Sequence, residues 1–170
     1  CYFCMPENLK LAEKLVSDER IDFLSFIGSA KIGWMLRSKL SPGTRCALEH
    51  GGMAPTFLTE TTNLDIASKL LIKGGFYHAG QVCVSVQRVF VQKKIFDDFL
   101  SIFEKNLKPL KIGNPLDKNT EVGPLIRPSE VDRVQEWVNE SISQGTSVLC
   151  GVNKISETCF DKTVLINPRF

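Results

Sequence analysis

The stretch from Ile21 to Leu40 constrains the fold more than any other part of this sequence. Ile21-Asp22-Phe23-Leu24-Ser25-Phe26-Ile27 is a compact apolar run with β-branched and aromatic residues, and it reads as a buried strand. Gly28-Ser29 breaks it at once. From Ala30 to Leu40 the apolar residues Ile32, Met35 and Leu36 fall at helical spacing, until Ser41-Pro42-Gly43 ends the run. A strand, a glycine turn and a helix thus follow one another with nothing between them.

The same alternation extends along the chain. Pro6 to Ser17 has Leu9, Ala12, Leu15 and Val16 on one face, with Pro6 placed to open a helix. Cys46-Ala47-Leu48 is short and apolar, and Thr56-Phe57-Leu58 reads as a strand. Asn63 or Thr62 can cap a helix from Leu64 to Phe76 whose Ile66, Leu70 and Leu71 point inward. A loop, 78 to 82, leads to Cys83, and Arg88 to Val91 is a further strand. Ile95 to Leu107 carries the clearest apolar stripe, through Phe96, Phe99, Leu100 and Phe103. After a loop-rich stretch to Pro128, Ser129 begins a helix with Val131, Val134, Trp137, Val138 and Ile142 on one face, ended by Gly145. Ser147–Cys150 and Thr163–Ile166 are short strands. Strands alternating with helices predict an α/β layered fold, a largely parallel sheet with flanking helices.

Composition narrows the functional classes. A chain of 170 residues suits one domain or parts of two adjoining ones, and 43% hydrophobic with 24% charged residues is ordinary for a globular protein. The net charge of +2 is spread out, so no electrostatic footprint for nucleic acid or an anionic membrane is expected. No apolar run nears the roughly 20 residues that span a bilayer. The first residues lack a signal-peptide layout, and position 1 is not Met, so the chain is expected to begin inside a longer product. The six cysteines, at positions 1, 4, 46, 83, 150 and 159, are irregularly spaced, which argues for free thiols in a reducing, cytoplasmic setting. Cys1 and Cys4 form a C-x-x-C without a second ligand pair, so no metal site is expected.

Three places could carry chemistry. Cys83 follows a glycine turn, where a thiolate nucleophile is approachable; the plainer alternative is a small buried hydrophobe. Glu49 lies between an apolar segment and Gly51-Gly52, the setting of a general base; its alternative is a surface carboxylate at a strand end. Gly28-Ser29-Ala30-Lys31-Ile32-Gly33 has the form strand, G-S-x-x-x-G, helix. Its helix start could hold a phosphate or pyrophosphate, and a tight turn without a ligand explains it about as well. His50 and His78 are the two histidines, and no triad surrounds either.

The order of these segments is more specific than any one of them. Phe26-Ile27-Gly28-Ser29-x-x-x-Gly33, Leu48-Glu49-His50-Gly51-Gly52-Met53-Ala54-Pro55, Gly80-Gln81-Val82-Cys83 and Arg88-Val89-Phe90-Val91, followed by Gly123-Pro124-Leu125-Ile126, resemble the aldehyde dehydrogenase superfamily over nearly the whole chain. Ile27 stands where the family usually has Thr, His50 where it has Leu and Met53 where it has Lys. Val152 stands where a second glycine is common after Gly151.

The resemblance implies that residues 1–49 are the C-terminal part of a Rossmann-like cofactor-binding domain and 50–170 the N-terminal part of a catalytic domain. It implies NAD(P)-dependent oxidation of an aldehyde to a carboxylic acid, with Cys83 as nucleophile, Glu49 as general base, and Gly28, Ser29 and Gly33 beside the pyrophosphate of NAD or NADP. The phrase from Gly80 to Arg88 looks closest to branches handling small polar aldehydes. Family segments carrying an oxyanion-hole asparagine, a ribose-binding lysine, the E-I-F-G-P-V glutamate and the oligomerisation strand are not among these residues. The isolated chain is therefore expected to be inactive, and the parent to be a homo-oligomer acting on a small aldehyde. The rival expectation is a non-catalytic remnant or scaffold with the same fold. An acyl-phosphate or acyl-CoA reductase of the superfamily is disfavoured by Glu49.

Overall fold

The computed structural model describes residue 5 and residues 8–168, which fall into two compact units divided between Gly52 and Met53. In the first, helix α1 (Leu9–Val16) is capped by Asn8, whose side chain accepts from the Leu11 N–H at 3.2 Å. Pro6, expected to open this helix, lies outside the described residues. Strands β1 (Phe23–Gly28) and β2 (Arg45–His50) pair in parallel, with Phe23 opposite Arg45 and Gly28 opposite His50, and helix α2 (Ala30–Arg37) connects them. The helix stops short of Leu40 because its end tightens. Lys39 and Leu40 donate to carbonyls three residues back, and Ser38 Oγ donates to the Met35 carbonyl at 2.7 Å.

The strand expected to be buried is only half so. Leu24, Phe26 and Gly28 are partly covered, while Phe23, Ser25 and Ile27 are exposed, Ile27 to 80%. Helix α2 packs on both strands, and the alternation of the pleat leaves every second side chain on the other face. The covered face is closed by one tight contact. Gly33 is buried in the first turn of α2, and a Cβ there would collide with Nε2 of His50 and with the Phe26 ring. The His50 ring lies edge-on to Trp34 and Phe26, with centroids 5.5 and 6.4 Å away. Its Nε2 is buried without a hydrogen-bond partner.

In the second unit, strands β3 (Thr56–Leu58) and β4 (Val89–Val91) pair in parallel. Helix α3 (Leu64–Phe76) lies between them in sequence and packs on α4 (Phe96–Leu107). Leu58, Leu71, Ile72, Phe99, Phe103 and Leu107 form the core. The inward face of α3 differs from the expected one. Ser68, Leu71 and Ile72 are buried, whereas Ile66 and Leu70 are 57% and 64% exposed. The inward stripe passes through a small polar residue, Ser68, which accepts from Asn106 Nδ2 of α4 at 3.2 Å, so a count of apolar residues alone misplaces the face.

Helix α5 (Pro128–Ser143) buries Val131 and Val138 but leaves Trp137 59% exposed, under the Arg133 guanidinium at 4.2 Å from the ring centroid. Strands β5 (Ser147–Cys150) and β6 (Val164–Ile166) pair antiparallel, with an irregularity between Val148 and Cys150. The expected alternation therefore holds as two parallel pairs, and the chain turns back on itself at the third. Gly151 (φ 83°) and Val152 (φ 77°) begin that reversal, and a Cβ on Gly151 would strike the Lys162 carbonyl. Lys162 in turn donates through Nζ to the carbonyls of Lys108 and Leu110, at 2.9 and 2.8 Å, just beyond the C-terminal end of α4 where a cation is favoured.

Gly33→Ala should destabilise the first unit by about 1–3 kcal/mol through overpacking. Adding His50→Ala should recover part of that loss in a double-mutant cycle read by denaturant unfolding; simple additivity would show that the ring and the glycine do not share one space. Val152 is a β-branched residue in a conformation that only glycine adopts without strain. Val152→Gly should therefore raise the melting stability of the second unit by about 1 kcal/mol, and a loss of stability would refute the strain.

Candidate functional site

Cys83 is presented by a short, heavily hydrogen-bonded connection between α3 and β4. Phe76 ends the helix, and His78, Ala79 and Gly80 follow with φ of 51°, 53° and 73°, three left-handed residues in a row. Glycine takes this conformation freely and histidine is enriched in it, but alanine is strained there. The Ser85 N–H then donates to the Val82 carbonyl at 3.1 Å, closing a turn with Cys83 and Val84 at its tip. The Cys83 thiol is exposed. Beyond the turn the chain is pinned again. Ser85 is buried, its Oγ donating to the Gly75 carbonyl at 3.2 Å, and the Val86 N–H donates to the Gly74 carbonyl at 3.0 Å.

Gly74 and Gly75 make this possible, because a Cβ on Gly75 would lie 3.1 Å from the Val86 carbonyl oxygen and one on Gly74 3.2 Å from a Val86 methyl. These two glycines and Ser85 were not singled out from the sequence. The available signal was a pair of glycines inside a helical pattern, which is costly unless another backbone has to approach closely. Gln81 joins the turn to a second loop. Its Nε2 donates to the carbonyls of His78 at 3.0 Å and Pro124 at 3.3 Å, and its Oε1 accepts from the Ile126 N–H at 2.9 Å.

The other predicted residues gather in the first unit. Gly28 ends β1, Ser29 is the N-cap of α2, and Glu49 is the penultimate residue of β2, all at the carboxyl end of the parallel pair. Ligands of open parallel sheets bind at that end. Ser29 is exposed and makes no side-chain cap bond, and the first turn of α2 holds no acidic residue. That turn therefore carries no carboxylate of its own to compete for an anion at its N–H groups. Gly33 has a second duty: its hydrogen is what lets the His50 ring lie against the helix. Glu49 is exposed and sits opposite Ile27 in the pairing. Cys83 belongs to the second unit. His78 is exposed with its ring against Tyr77.

Among the thiols, Cys83 is exposed and Cys150 partly buried. Partial burial pushes the Cys150 thiol above its ordinary range, and the Asp161 carboxylate adds to the effect. Among the described residues no group of three or more His, Cys, Asp or Glu could hold a metal ion, and Cys1 and Cys4 lie outside those residues. No helix among them is long and apolar enough to cross a membrane.

Comparison with known proteins finds relatives for the chain as a whole. The chain is 38% identical to a lactaldehyde dehydrogenase of Methanococcus vannielii over 85% of its own length and 31% of that protein's. It is 32% identical to a 3-sulfolactaldehyde dehydrogenase of Priestia aryabhattai, over 95% of its length and 33% of that protein's. Its fold matches the crystal structure of the glyceraldehyde-3-phosphate dehydrogenase GapN from Methanocaldococcus jannaschii complexed with NADP. That match has a TM-score of 0.87 and 36% identity, covering 91% of this chain and 34% of that one. The chain thus spans about a third of the length of the relatives it matches, and the layered α/β fold is theirs. The profile of the aldehyde dehydrogenase family matches from residue 3 to residue 169, and the chain belongs to that family.

Proposed function

We propose that the chain supplies the nucleophile, the general base and part of the dinucleotide cradle of an enzyme that oxidises a small polar aldehyde to its carboxylic acid. The observation that carries this reading is an exposed cysteine at the tip of a braced turn. Such a thiol can meet a substrate without the loop having to rearrange. In this reading residues 1–49 act as the end of the cofactor domain and 50–170 as the start of the catalytic domain. Gly28, Ser29 and Gly33 would hold the pyrophosphate of NAD or NADP, whose nicotinamide would supply the hydride acceptor.

Cys83 Sγ, as thiolate, forms a bond to the aldehyde carbon, and the carbonyl oxygen takes up the negative charge as a thiohemiacetal. Loss of hydride from that carbon leaves a thioester on Cys83. Glu49 takes a proton from water as the water oxygen attacks the thioester carbonyl. The C–S bond then breaks, releasing the acid and the Cys83 thiolate. Covalent capture divides one difficult oxidation into two easier steps, and the exposed carboxylate of Glu49 is free to reach a water. The cytoplasmic setting belongs to the same proposal, since a reducing compartment keeps such a thiol available.

The substrate class follows from chemistry shared by the relatives. Lactaldehyde, sulfolactaldehyde and glyceraldehyde 3-phosphate, which name three of them, are all three-carbon aldehydes with a hydroxyl on the neighbouring carbon. We assign the same class here, with the parent acting as a homo-oligomer.

In the full-length gene product, lactaldehyde with NAD or NADP should yield reduced cofactor and lactate. Cys83→Ser should abolish the reaction. Glu49→Gln should leave a stoichiometric burst of reduced cofactor and slow steady turnover by about 10²–10⁴-fold. Full turnover by Cys83→Ser would overturn Cys83 as nucleophile, and no turnover by the unsubstituted protein would leave the scaffold reading in its place. The 170-residue chain by itself should give no steady production of reduced cofactor; robust turnover would contradict that expectation. In the same chain, iodoacetamide followed by peptide mass mapping should find Cys83 alkylated ahead of Cys150 near neutral pH, and the reverse order would count against Cys83 as nucleophile.

A further inference from the structure

The loop Gly123-Pro124-Leu125-Ile126 has no part in the chemistry above, yet it is hydrogen-bonded to Gln81, beside the nucleophile turn. Both ends of the Gln81 carboxamide are spent on backbone: two donated bonds, to His78 and Pro124, and one accepted from Ile126. A carboxamide offers two N–H donors and one carbonyl, so this exposed side chain has every kind of polar group engaged. Because all three partners are main-chain groups, the side chain senses where two loops lie, not which side chains they carry. The far loop has its own anchor in the Leu125 N–H, which donates to the Thr158 carbonyl at 2.8 Å.

The near loop needs such an anchor. His78, Ala79 and Gly80 are all left-handed, and strained backbone persists only where its surroundings hold it. The His78 carbonyl that Gln81 grips belongs to the first residue of that triplet, and Cys83 is only two positions after Gln81. The Gln81 main-chain N–H also donates to that carbonyl, at 3.0 Å, so the side chain adds the tie that joins the triplet to the far loop.

We propose that Gln81 is the positioning residue for Cys83, and that the Gly123–Ile126 loop is the fixed support it works against. The proposal rests on Cys83 being the nucleophile, and its test keeps the two ideas apart. Gln81→Leu removes all three bonds; Gln81→Glu keeps the acceptor for Ile126 and loses both donors. In the full-length gene product with lactaldehyde as probe, Gln81→Leu should lower kcat by roughly 10²-fold, the scale of an ångström of misplacement, and leave KM little changed. Gln81→Glu should recover part of that loss. Amide hydrogen exchange supplies a readout without turnover. The Ile126 N–H should exchange faster in Gln81→Leu and stay protected in Gln81→Glu, while the Leu125 N–H, held by Thr158, should remain protected in both. If Gln81→Leu does not fold, Gln81→Glu alone carries the test through its kcat. Unchanged Ile126 exchange in Gln81→Leu, or unchanged kcat in a folded variant, would overturn the proposal. A Cys83→Ser protein that still turns over would overturn the nucleophile assignment, whatever Gln81 does.

Discussion

The approach of a helix to the strand or loop it covers, at a distance only glycine permits, is the constraint on which both candidate chemical groups depend. In the first unit Gly33 lets α2 settle on the His50 ring, which fixes β2 and the Glu49 it carries. In the second unit Gly74 and Gly75 let the chain after Cys83 return against α3, where it gains two hydrogen bonds to that helix's carbonyls. Glycine inside or at the start of a helix weakens it by up to about 1 kcal/mol relative to alanine. Here that weakness is offset by contacts a Cβ would forbid. The motif segments quoted from the sequence include Gly33, and the Cys83 turn packs back on the Gly74-Gly75 pair.

Much of the fold was legible because long apolar periodicities survive tertiary packing. Helix α4 spans nearly the expected residues, and α3 ends where its pattern ends, with Asn63 as the cap. Misreadings came where burial and hydrophobicity part company. Leu70 and Ile66 are apolar but exposed, and Ser68 is polar but buried, since the inward face of α3 was set by how closely α4 approaches. Strand β1 was read as a buried strand, and its Ile27 is open, because periodicity reports that a face is apolar and not what covers it. The antiparallel third pair was also beyond reach, since short strands carry no mark of direction.

The candidate site was legible as motifs and illegible as mechanics. Nothing in Gly80-Gln81-Val82-Cys83 reveals that the glutamine reaches 45 residues down the chain to Ile126, because long-range hydrogen bonds leave no periodic trace. Val152, by contrast, was flagged as standing where glycine is common. Its φ of 77° supplies the physical reason glycine suits that place. His50 shows the opposite case. It replaces the leucine usual in the resemblance, and the structure gives it a packing role between Phe26, Trp34 and Gly33, with its Nε2 left unpartnered. A buried polar atom without a partner is costly, and nothing among the described contacts explains why leucine was given up.

The pairing of β1 with β2 has one more consequence. Successive side chains on β2 point to opposite faces, so Glu49 looks outward because His50 looks inward, beneath α2. A slip of a single residue would exchange them, driving the carboxylate under α2 among aromatic rings and turning the imidazole out to solvent. Charge burial without a partner opposes that slip from one side. From the other, the imidazole already fills the space left by the missing side chain of Gly33. The alignment of two short strands thus works as a polarity selector, deciding which of two adjacent ionisable residues is offered to water and which is withheld.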